Sequence, residues 1–141
     1  MIILDTDHIS LLQHPESREA QRVIQRLAGA RDDEVFTTIV SVEEQMRSWL
    51  AIIARYRDAA RQTTYYARLL NFIRFFQDWE IVVFDASAAE KFNELRAGGV
   101  RIGSSDLKIA SIVLVHGATL ISRNQIDFSK VPGLVLEDWS N

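Results

Sequence analysis

The chain has 141 residues, a formal net charge of −3 at pH 7 and no cysteine. This length predicts one domain, residues 1–141, and the composition excludes disulfide bonds and thiolate metal sites. No segment contains the run of about 20 apolar residues that crosses a bilayer, and no signal-peptide pattern opens the chain. We therefore expect a cytoplasmic protein without a membrane partner.

The first half of the chain predicts two strands, each followed by helices. An apolar run at residues 1–4 predicts the first strand, and two short helices follow it, the second over residues 16–28. Residues 35–40 contain β-branched side chains and predict the second strand. Residues 41–77 lack glycine and proline and repeat apolar side chains at helical spacing. They predict a long antiparallel helical hairpin that turns near residues 60–64.

The second half of the chain predicts three more strands, at residues 80–84, 118–122 and 134–136. Two helices separate the first two of these strands, over residues 88–97 and 106–115, with Asp85 or Ser87 capping the first and Ser104 capping the second. Strands that alternate with helices are typical of a parallel sheet covered on both faces. The sequence therefore predicts a three-layer α/β/α fold with a central parallel sheet of four or five strands.

Acidic or amide residues follow several of the predicted strands. These residues are Asp5, Glu43, Glu44, Asp106, Asn124 and Asp127. The carboxyl edge of a parallel sheet is where open α/β folds bind ligands, and carboxylates that converge there repel one another unless a cation holds them. Taken singly, each residue also suits an ordinary helix cap or first helical turn, as Asp85 does. Taken together, they favour a metal-dependent hydrolase or transferase.

The predicted ligands are hard oxygen donors, which suit Mg²⁺ or Mn²⁺. Zinc is disfavoured because the chain has only His8, His14 and His116, without an HExxH motif or a cysteine partner. His8 lies near the predicted sheet edge, where contact with a substrate is one interpretation. A position on the helix surface is the interpretation that its sequence context favours.

Positive charge is concentrated in one segment. Residues 45–77 contain six arginines and one acid, so they carry a net charge of +5 against −8 for the rest of the chain. A solvated helical face is one interpretation of this segment. The other is a face that binds nucleic acid, because arginine suits phosphate contacts and stacking on bases, and a polyanion needs cations beside an acidic site. The candidates for that face are Arg47, Arg55, Arg57, Arg61 and Arg68.

Four sequence blocks carry a family resemblance. They are ILDTD at residues 3–7, SVEE at residues 41–44, IGSSDLKIA at residues 102–110 and LISRNQIDF at residues 120–128. In this order and in these strand contexts, the chain resembles the PIN-domain nucleases, and within them the VapC-like toxins of type II toxin–antitoxin pairs. The resemblance covers almost the full length, including the ending at residues 131–139. It implies that residues 1–141 form a single PIN-like nuclease domain.

The resemblance implies that Asp5, Glu44 and Asp106 are metal ligands and catalytic residues. Glu44 is preferred to Glu43 because its spacing from Ser41 matches the family, and both remain open. For a fourth ligand, two further positions remain open. Asp127 matches the C-terminal acid of the family, and Asn124 stands where relatives carry Asn or Asp. Thr6 and Ser122 are implied as small polar groups that orient ligands or water, and Asp7 departs from the commoner Asn.

The resemblance also implies the activity and the partners. It implies an Mg²⁺- or Mn²⁺-dependent endoribonuclease that cleaves RNA with a metal-activated water, acts as the toxin of a toxin–antitoxin pair, binds a cognate antitoxin and forms a homodimer. The antitoxin is expected along the helical hairpin, where apolar side chains occupy more than one face. These side chains are Trp49, Ile52, Tyr56, Tyr65, Phe72 and Phe75.

Three other functions remain as alternatives. The first is a housekeeping PIN-domain nuclease that processes RNA. The second is a haloacid-dehalogenase-like phosphotransferase, because Asp5 and Asp7 after an apolar strand imitate its nucleophile and acid pair. The third is a non-catalytic PIN scaffold that binds RNA or protein.

Overall fold

A computed structural model describes residues 1–31 and 34–141. Within these residues the strands are β1 (Ile2–Leu4), β2 (Val35–Thr38), β3 (Ile81–Val82), β4 (Thr119–Ile121) and β5 (Val135–Glu137). The helices are α1 (Thr6–Gln13), α2 (Arg18–Ala28), α3 (Ile39–Arg55), α4 (Ala59–Phe76), α5 (Ala86–Ala97), α6 (Ser104–His116) and α7 (Gln125–Phe128). In this part of the chain, no helix is long and apolar enough to cross a membrane.

The five strands form one sheet in the order β3-β2-β1-β4-β5, and every pair is parallel. Ile3 of β1 lies between Phe36 of β2 and Leu120 of β4. From β1, the chain builds the sheet first towards β3 and later towards β5. The strand order therefore reverses beside β1, and the crevice at its carboxyl end is the place where such folds bind ligands. The predicted parallel sheet is confirmed.

Two buried clusters lie on opposite faces of the sheet. Ile3 and Leu120 belong to the cluster that α5 and α6 cover. Their neighbours Leu4 and Ile121 belong to the cluster that α1, α2 and the helical hairpin cover. These four side chains are fully buried, because successive residues of a strand point to opposite faces and both faces are packed here. The predicted three-layer α/β/α architecture is confirmed.

The predicted helical hairpin is present, but its turn lies earlier than residues 60–64. Helix α4 begins after Asp58, whose side chain accepts a hydrogen bond from the backbone N of Ala60 at 3.0 Å. The side chain of Gln62 donates to the carbonyl of Tyr56 at the end of α3, and to the carbonyl of Ile53, which also accepts from the backbone N of Tyr56. The ring of Tyr56 stacks on Tyr65 at 5.0 Å, across the turn. The predicted turn position was wrong because α3 ends at its C-cap Tyr56 and the aspartate that caps α4 follows two residues later, without a glycine or a proline to mark the turn.

Several predicted boundaries also change. Ser104 is the first residue of α6 rather than its cap, because Gly103 takes the N-cap position without a side-chain bond. The predicted cap Asp85 is confirmed, since its Oδ1 accepts from the backbone N of Ala88 at 3.0 Å. The third strand is only Ile81–Val82. Helix α7, which the sequence did not predict, follows β4 after a short link.

Candidate active site

Asp5 lies at the centre of the carboxyl edge of the sheet. Its backbone N donates to the carbonyl of Ile121 at 3.0 Å, which continues the pairing of β1 with β4. Its Oδ1 accepts from the backbone N of Thr6 at 2.7 Å, and its Oδ2 accepts from the hydroxyl of Ser122 at 2.7 Å. The side chain is 5% exposed. Burial, with the negative charges of Asp7 and Asp106, raises the pKa of Asp5 to about 7 despite these hydrogen bonds.

Glu44 reaches the site from α3, where it contacts Thr6, the neighbour of Asp5. Thr38 ends β2 and caps α3 by accepting from the backbone N of Ser41, which places Glu44 in the second turn of that helix. The hydroxyl of Thr6 donates to Glu44 Oε1 at 2.8 Å. Burial raises the pKa of Glu44, and the negative charge of Asp106 adds to this. The alternative ligand Glu43 instead pairs with Arg47 on the exposed side of α3.

Asp106 enters the site from the first turn of α6. Burial raises its pKa, and the negative charges of Asp127 and Asp7 act in the same direction. The side-chain amide of Asn124 donates to Asp106 Oδ2 at 3.0 Å and to Asp127 Oδ2 at 3.2 Å. The carbonyl oxygen of Asn124 accepts from the backbone N of Asp127 at 3.4 Å and caps α7. Asn124 therefore bridges the two carboxylates through its nitrogen.

Asp127 lies at the outer margin of the site. It is more exposed than Asp5, and it forms a 3.1 Å ion pair with Lys130. Its hydrogen bond from Asn124 and the contact with Lys130 lower its pKa. The structure thus gathers Asp5, Glu44 and Asp106 as carboxylates with raised pKa values, while Asp127 is already compensated by a cation.

The chemistry of this donor set fits a divalent cation. Burial and other carboxylates raise the pKa values of Asp5 and Asp106, and neutral hydrogen-bond donors lower them. Within residues 1–31 and 34–141, no cationic side chain is among the causes of these two shifts. Hard cations offset this kind of charge, and Mg²⁺ binds through one or two carboxylates and several waters. Among residues 1–31 and 34–141, no three or more His, Cys, Asp or Glu side chains by themselves form a group that could hold a metal ion. A cation at this edge would therefore need other oxygen ligands as well.

Two adjoining grooves lead from Glu44 towards α4. The first has a volume of about 330 Å³ and is lined by Thr6, Glu44 and Trp49 among others. The second has a volume of about 540 Å³ and is lined by Trp49, Arg68 and Phe72 among others. Gln13, His14 and Trp49 border both grooves. A ligand in the larger groove would therefore lie next to one that reaches Glu44.

The structure brings only part of the predicted arginine face towards the acidic cluster. Arg68 lines the larger groove and lies 5.5 Å from the centre of the Tyr65 ring. Arg47 is less than one helical turn from Glu44 on α3, but it pairs with Glu43. The other three predicted arginines are exposed near the turn of the hairpin. The first of them ends α3, roughly 16 Å along the helix from Glu44 at about 1.5 Å per residue, and the other two lie in the turn and in the first turn of α4. These three are Arg55, Arg57 and Arg61.

The predicted surface position of His8 is wrong. The side chain is fully buried, with its Nδ1 2.7 Å from Asp7 Oδ1 and its Nε2 3.2 Å from the backbone N of Trp139. The spacing of residue 8 from Leu11 and Leu12 places all three on one helical face, which was the sequence signal for burial. The sequence also did not predict the contacts of Asp7, whose Oδ2 accepts a hydrogen bond from the backbone N of Arg123 at 2.8 Å.

The comparison with known families confirms the resemblance. The PIN domain model matches residues 2–134, and the chain belongs to the PIN domain family. A curated relative, the ribonuclease VapC2 of Rickettsia felis, is 39% identical over 64 residues. That match covers 43% of this chain and 48% of the relative, so the chain spans about half the length of the curated relative that it matches.

Solved structures share the fold over their full length. VapBC-1 from nontypeable Haemophilus influenzae has a TM-score of 0.77 at 19% identity, with 100% of both chains covered. FitAcB from Neisseria gonorrhoeae has a TM-score of 0.72 at 22% identity, with 99% of this chain and 98% of that chain covered. VapBC2 from Rickettsia felis, bound to a DNA fragment from its promoter, has a TM-score of 0.67 at 23% identity, with 99% of both chains covered.

Proposed function

We propose that this protein is a divalent-cation-dependent endoribonuclease, the toxin of a type II toxin–antitoxin pair. The observation that carries the proposal is the cluster of Asp5, Glu44 and Asp106, which converges on the carboxyl edge of the sheet. Membership of the PIN domain family and similarity to a ribonuclease, VapC2 of Rickettsia felis, support the same reaction. The toxin assignment is supported by the sequence similarity to that VapC protein.

Asp5, Glu44 and Asp106, with Asp127 at the margin, would supply carboxylate oxygens to Mg²⁺ or Mn²⁺. Waters would complete the coordination, because in the part of the chain that the structure describes no three such side chains form a metal-holding group by themselves. A cation held there would lower the pKa of a water and offset negative charge on the phosphoryl group. The chain itself orients the carboxylates: the hydroxyl of Thr6 fixes Glu44, and the hydroxyl of Ser122 fixes Asp5. Each hydroxyl donates to one carboxylate oxygen, so it restrains the group without adding charge.

The adjoining grooves would give the RNA substrate a path that reaches Glu44. With the scissile phosphate at Asp5, the flanking nucleotides would lie along the surface between α1 and α3. Trp49 offers an aromatic face for stacking on a base, and Arg68 offers a cation for a phosphate. The RNA is a polyanion, so this cation also offsets repulsion from the acidic cluster.

The partners belong to the same proposal. A cognate antitoxin would use the apolar lining of the larger groove, Trp49, Phe72 and Phe75, and would compete with RNA for it. The homodimer stays a prediction. Tyr66, Leu70 and Ile73 are exposed and recur at helical spacing on α4, which gives a second copy of the chain a candidate surface.

The phosphotransferase alternative is not favoured by the geometry. In that class, the second aspartate would have to act as an acid on the substrate. In this chain, the oxygens of Asp7 already accept hydrogen bonds from His8 and from the backbone of Arg123. Trapping a phosphoaspartate on Asp5 would nevertheless decide in favour of that alternative.

The neighbouring glutamates of α3 provide a matched test of the nuclease. We expect Glu44→Gln to lower RNA cleavage by orders of magnitude with Mg²⁺ or Mn²⁺, because one of the carboxylates that would hold the cation is lost. Glu43→Gln, one residue away on the exposed side, should cleave within about threefold of wild type, as surface changes usually do little. Total RNA is incubated with each purified protein, with EDTA as the metal-free control. Equal activity of both variants with wild type would contradict the assigned site.

A further inference from the structure

His8 is a buried titratable side chain for which the proposed chemistry has no use. It is fully buried in α1, between the acidic site and the C-terminal segment. The backbone N of Trp139 lies 3.2 Å from its Nε2, and a backbone N–H can only donate. Nε2 is therefore the acceptor, and the ring proton is on Nδ1. That proton is donated to Asp7 Oδ1 over 2.7 Å.

Asp7 connects this ring to the acidic site. Its second oxygen, Oδ2, accepts from the backbone N of Arg123 at 2.8 Å and lies 3.3 Å from the hydroxyl of Ser122. The same hydroxyl lies 2.7 Å from Oδ2 of Asp5, so it donates to Asp5. A continuous path of hydrogen-bonding groups therefore runs from the backbone of Trp139 through His8, Asp7 and Ser122 to Asp5.

We propose that His8 is a positioning residue for Asp5. The Nδ1 proton fixes the rotation of the Asp7 carboxylate, and Asp7 holds the segment at Ser122 and Arg123 in the place from which the Ser122 hydroxyl reaches Asp5. Groups that orient a metal ligand from behind contribute to metal affinity although they never touch the metal. This inference rests on the proposed function, because it assigns His8 a part in holding the carboxylate that would bind the cation.

The proposal also explains why residue 7 is an aspartate in a position where the family resemblance implies asparagine. Two N–H groups, from the His8 ring and from the backbone of Arg123, donate to the two different oxygens of Asp7. An asparagine has only one side-chain oxygen, so its NH₂ group would face one of these donors. Asp7 and the Nδ1-protonated ring of His8 are therefore a matched pair.

A competing role for His8 is to anchor the C-terminal segment alone. Its Nε2 accepts from the backbone of Trp139, whose side chain is buried beneath Arg26 at 5.8 Å. The Nε2 atom also lies 3.5 Å from Asp138 Oδ1. The two ends of the ring therefore serve two different contacts, and substitutions that keep one end at a time separate the two roles.

Asparagine and glutamine each reproduce one end of the ring. In His8→Asn, the side-chain NH₂ lies near the place of Nδ1 and can donate to Asp7, but the shorter side chain does not reach Trp139. In His8→Gln, the side-chain oxygen lies near the place of Nε2 and can accept from Trp139, but the donor to Asp7 is lost. Both variants remove ring packing from a buried position, so both are expected to lower Tm.

Two readouts decide between the roles. Free Mn²⁺ is titrated by electron paramagnetic resonance without RNA, and we expect His8→Gln to weaken binding about tenfold, while His8→Asn stays close to wild type. In the metal-free protein, the amide proton resonance of Arg123 reports its bond to Asp7. This resonance should shift in His8→Gln and stay near its wild-type position in His8→Asn. His116→Gln, an exposed histidine at the end of α6, serves as the control.

The outcomes separate this inference from the proposed function. If His8→Gln binds Mn²⁺ as wild type does, or if the two variants lose affinity together in step with their Tm, the positioning role is overturned and His8 only anchors the C-terminal segment. If wild type binds no Mn²⁺ but the Arg123 resonance shifts only in His8→Gln, the cation-dependent nuclease fails and the positioning of the segment stands.

Discussion

The hydroxyl of Ser122 donates to the carboxylate of Asp5 at 2.7 Å, although 117 positions separate the two residues in the sequence. Asp5 follows β1 and Ser122 follows β4, and these strands are neighbours with Leu4 opposite Ile121. The parallel register therefore places the first residue after each strand side by side. Because Ser122 is fully buried and uncharged, it can orient Asp5 without offsetting the charge that a cation would bind.

The first prediction concerns Ser122→Ala. The hydrogen bond from Ser122 lowers the pKa of Asp5, so its loss should raise that pKa further above about 7. It should also lower RNA cleavage about tenfold to a hundredfold, as for other groups that orient metal ligands. Carboxyl ¹³C resonances report the pKa, and cleavage is measured at fixed Mn²⁺. Ser111→Ala, the control, removes a buried hydroxyl of α6 that donates within its own helix, to the carbonyl of Leu107. An unchanged Asp5 pKa in Ser122→Ala would contradict this assignment.

The second prediction concerns the pH dependence of stability in the metal-free protein. The pKa of Asp5 is raised in the folded state from 3.8 to about 7, so the folded protein binds the proton more tightly than the unfolded chain does. The contribution of Asp5 to the free energy of unfolding is therefore largest below pH 3.8 and is lost as the pH rises towards 7. A shift of this size corresponds to a loss on the order of 4 kcal/mol.

Urea unfolding of wild type and Asp5→Asn at several pH values measures this contribution. The difference between the two proteins should change across the window between pH 3.8 and about 7 and stay constant above it. Saturating Mn²⁺ should reverse the trend in wild type, because the cation binds the deprotonated carboxylate. A difference that is independent of pH would show that Asp5 titrates normally.

Much of the fold and part of the site could be predicted from the sequence. The alternation of apolar strands with helices predicted the parallel sheet, and the apolar run before Asp5 predicted that this residue lies at the carboxyl edge of the sheet. The pairing of β1 with β4 could not be predicted, because short buried strands carry no signal for their neighbours. The turn after α3 was placed a few residues too late, since the cap of α4 at Asp58 is not marked by a glycine or a proline. The four residues of α7 are too few for a helical period.

The site itself was predicted through residue types more than through contacts. Glu43 and Glu44 are adjacent residues of the same type, and the direction in which each side chain leaves α3 decides which one reaches the site. The role of Asn124 depends on which atom faces Asp106, which no sequence pattern encodes. His8 was assigned to the surface because a lone polar residue usually lies there, whereas tertiary contacts with Asp7 and Trp139 bury it.

The third prediction concerns the RNA path. We expect Arg68→Ala to weaken RNA binding and to reduce the slope of log affinity against log salt by about one, because Arg68 lines the groove that adjoins the carboxylates. Arg57→Ala, at the turn of the hairpin, should change both quantities less. Binding is measured in an Asp106→Asn background, which prevents cleavage. A larger effect of Arg57 would move the RNA path to the exposed end of the hairpin.

The last prediction concerns the partner protein. The larger groove has an apolar lining beside the acidic cluster, so an inhibitor that fills it would exclude RNA and would carry a basic group towards Asp5 and Glu44. Expression of the protein alone should inhibit growth, and co-expression with the small reading frame beside its gene should relieve the inhibition. The two products should then elute together in size exclusion.

Trp49→Ala, at the junction of the two grooves, should weaken the complex while leaving the circular dichroism spectrum unchanged, because this side chain is only partly buried. A chain that elutes as a monomer, does not inhibit growth and co-purifies with no product of its operon would exclude the toxin assignment and leave the housekeeping nuclease.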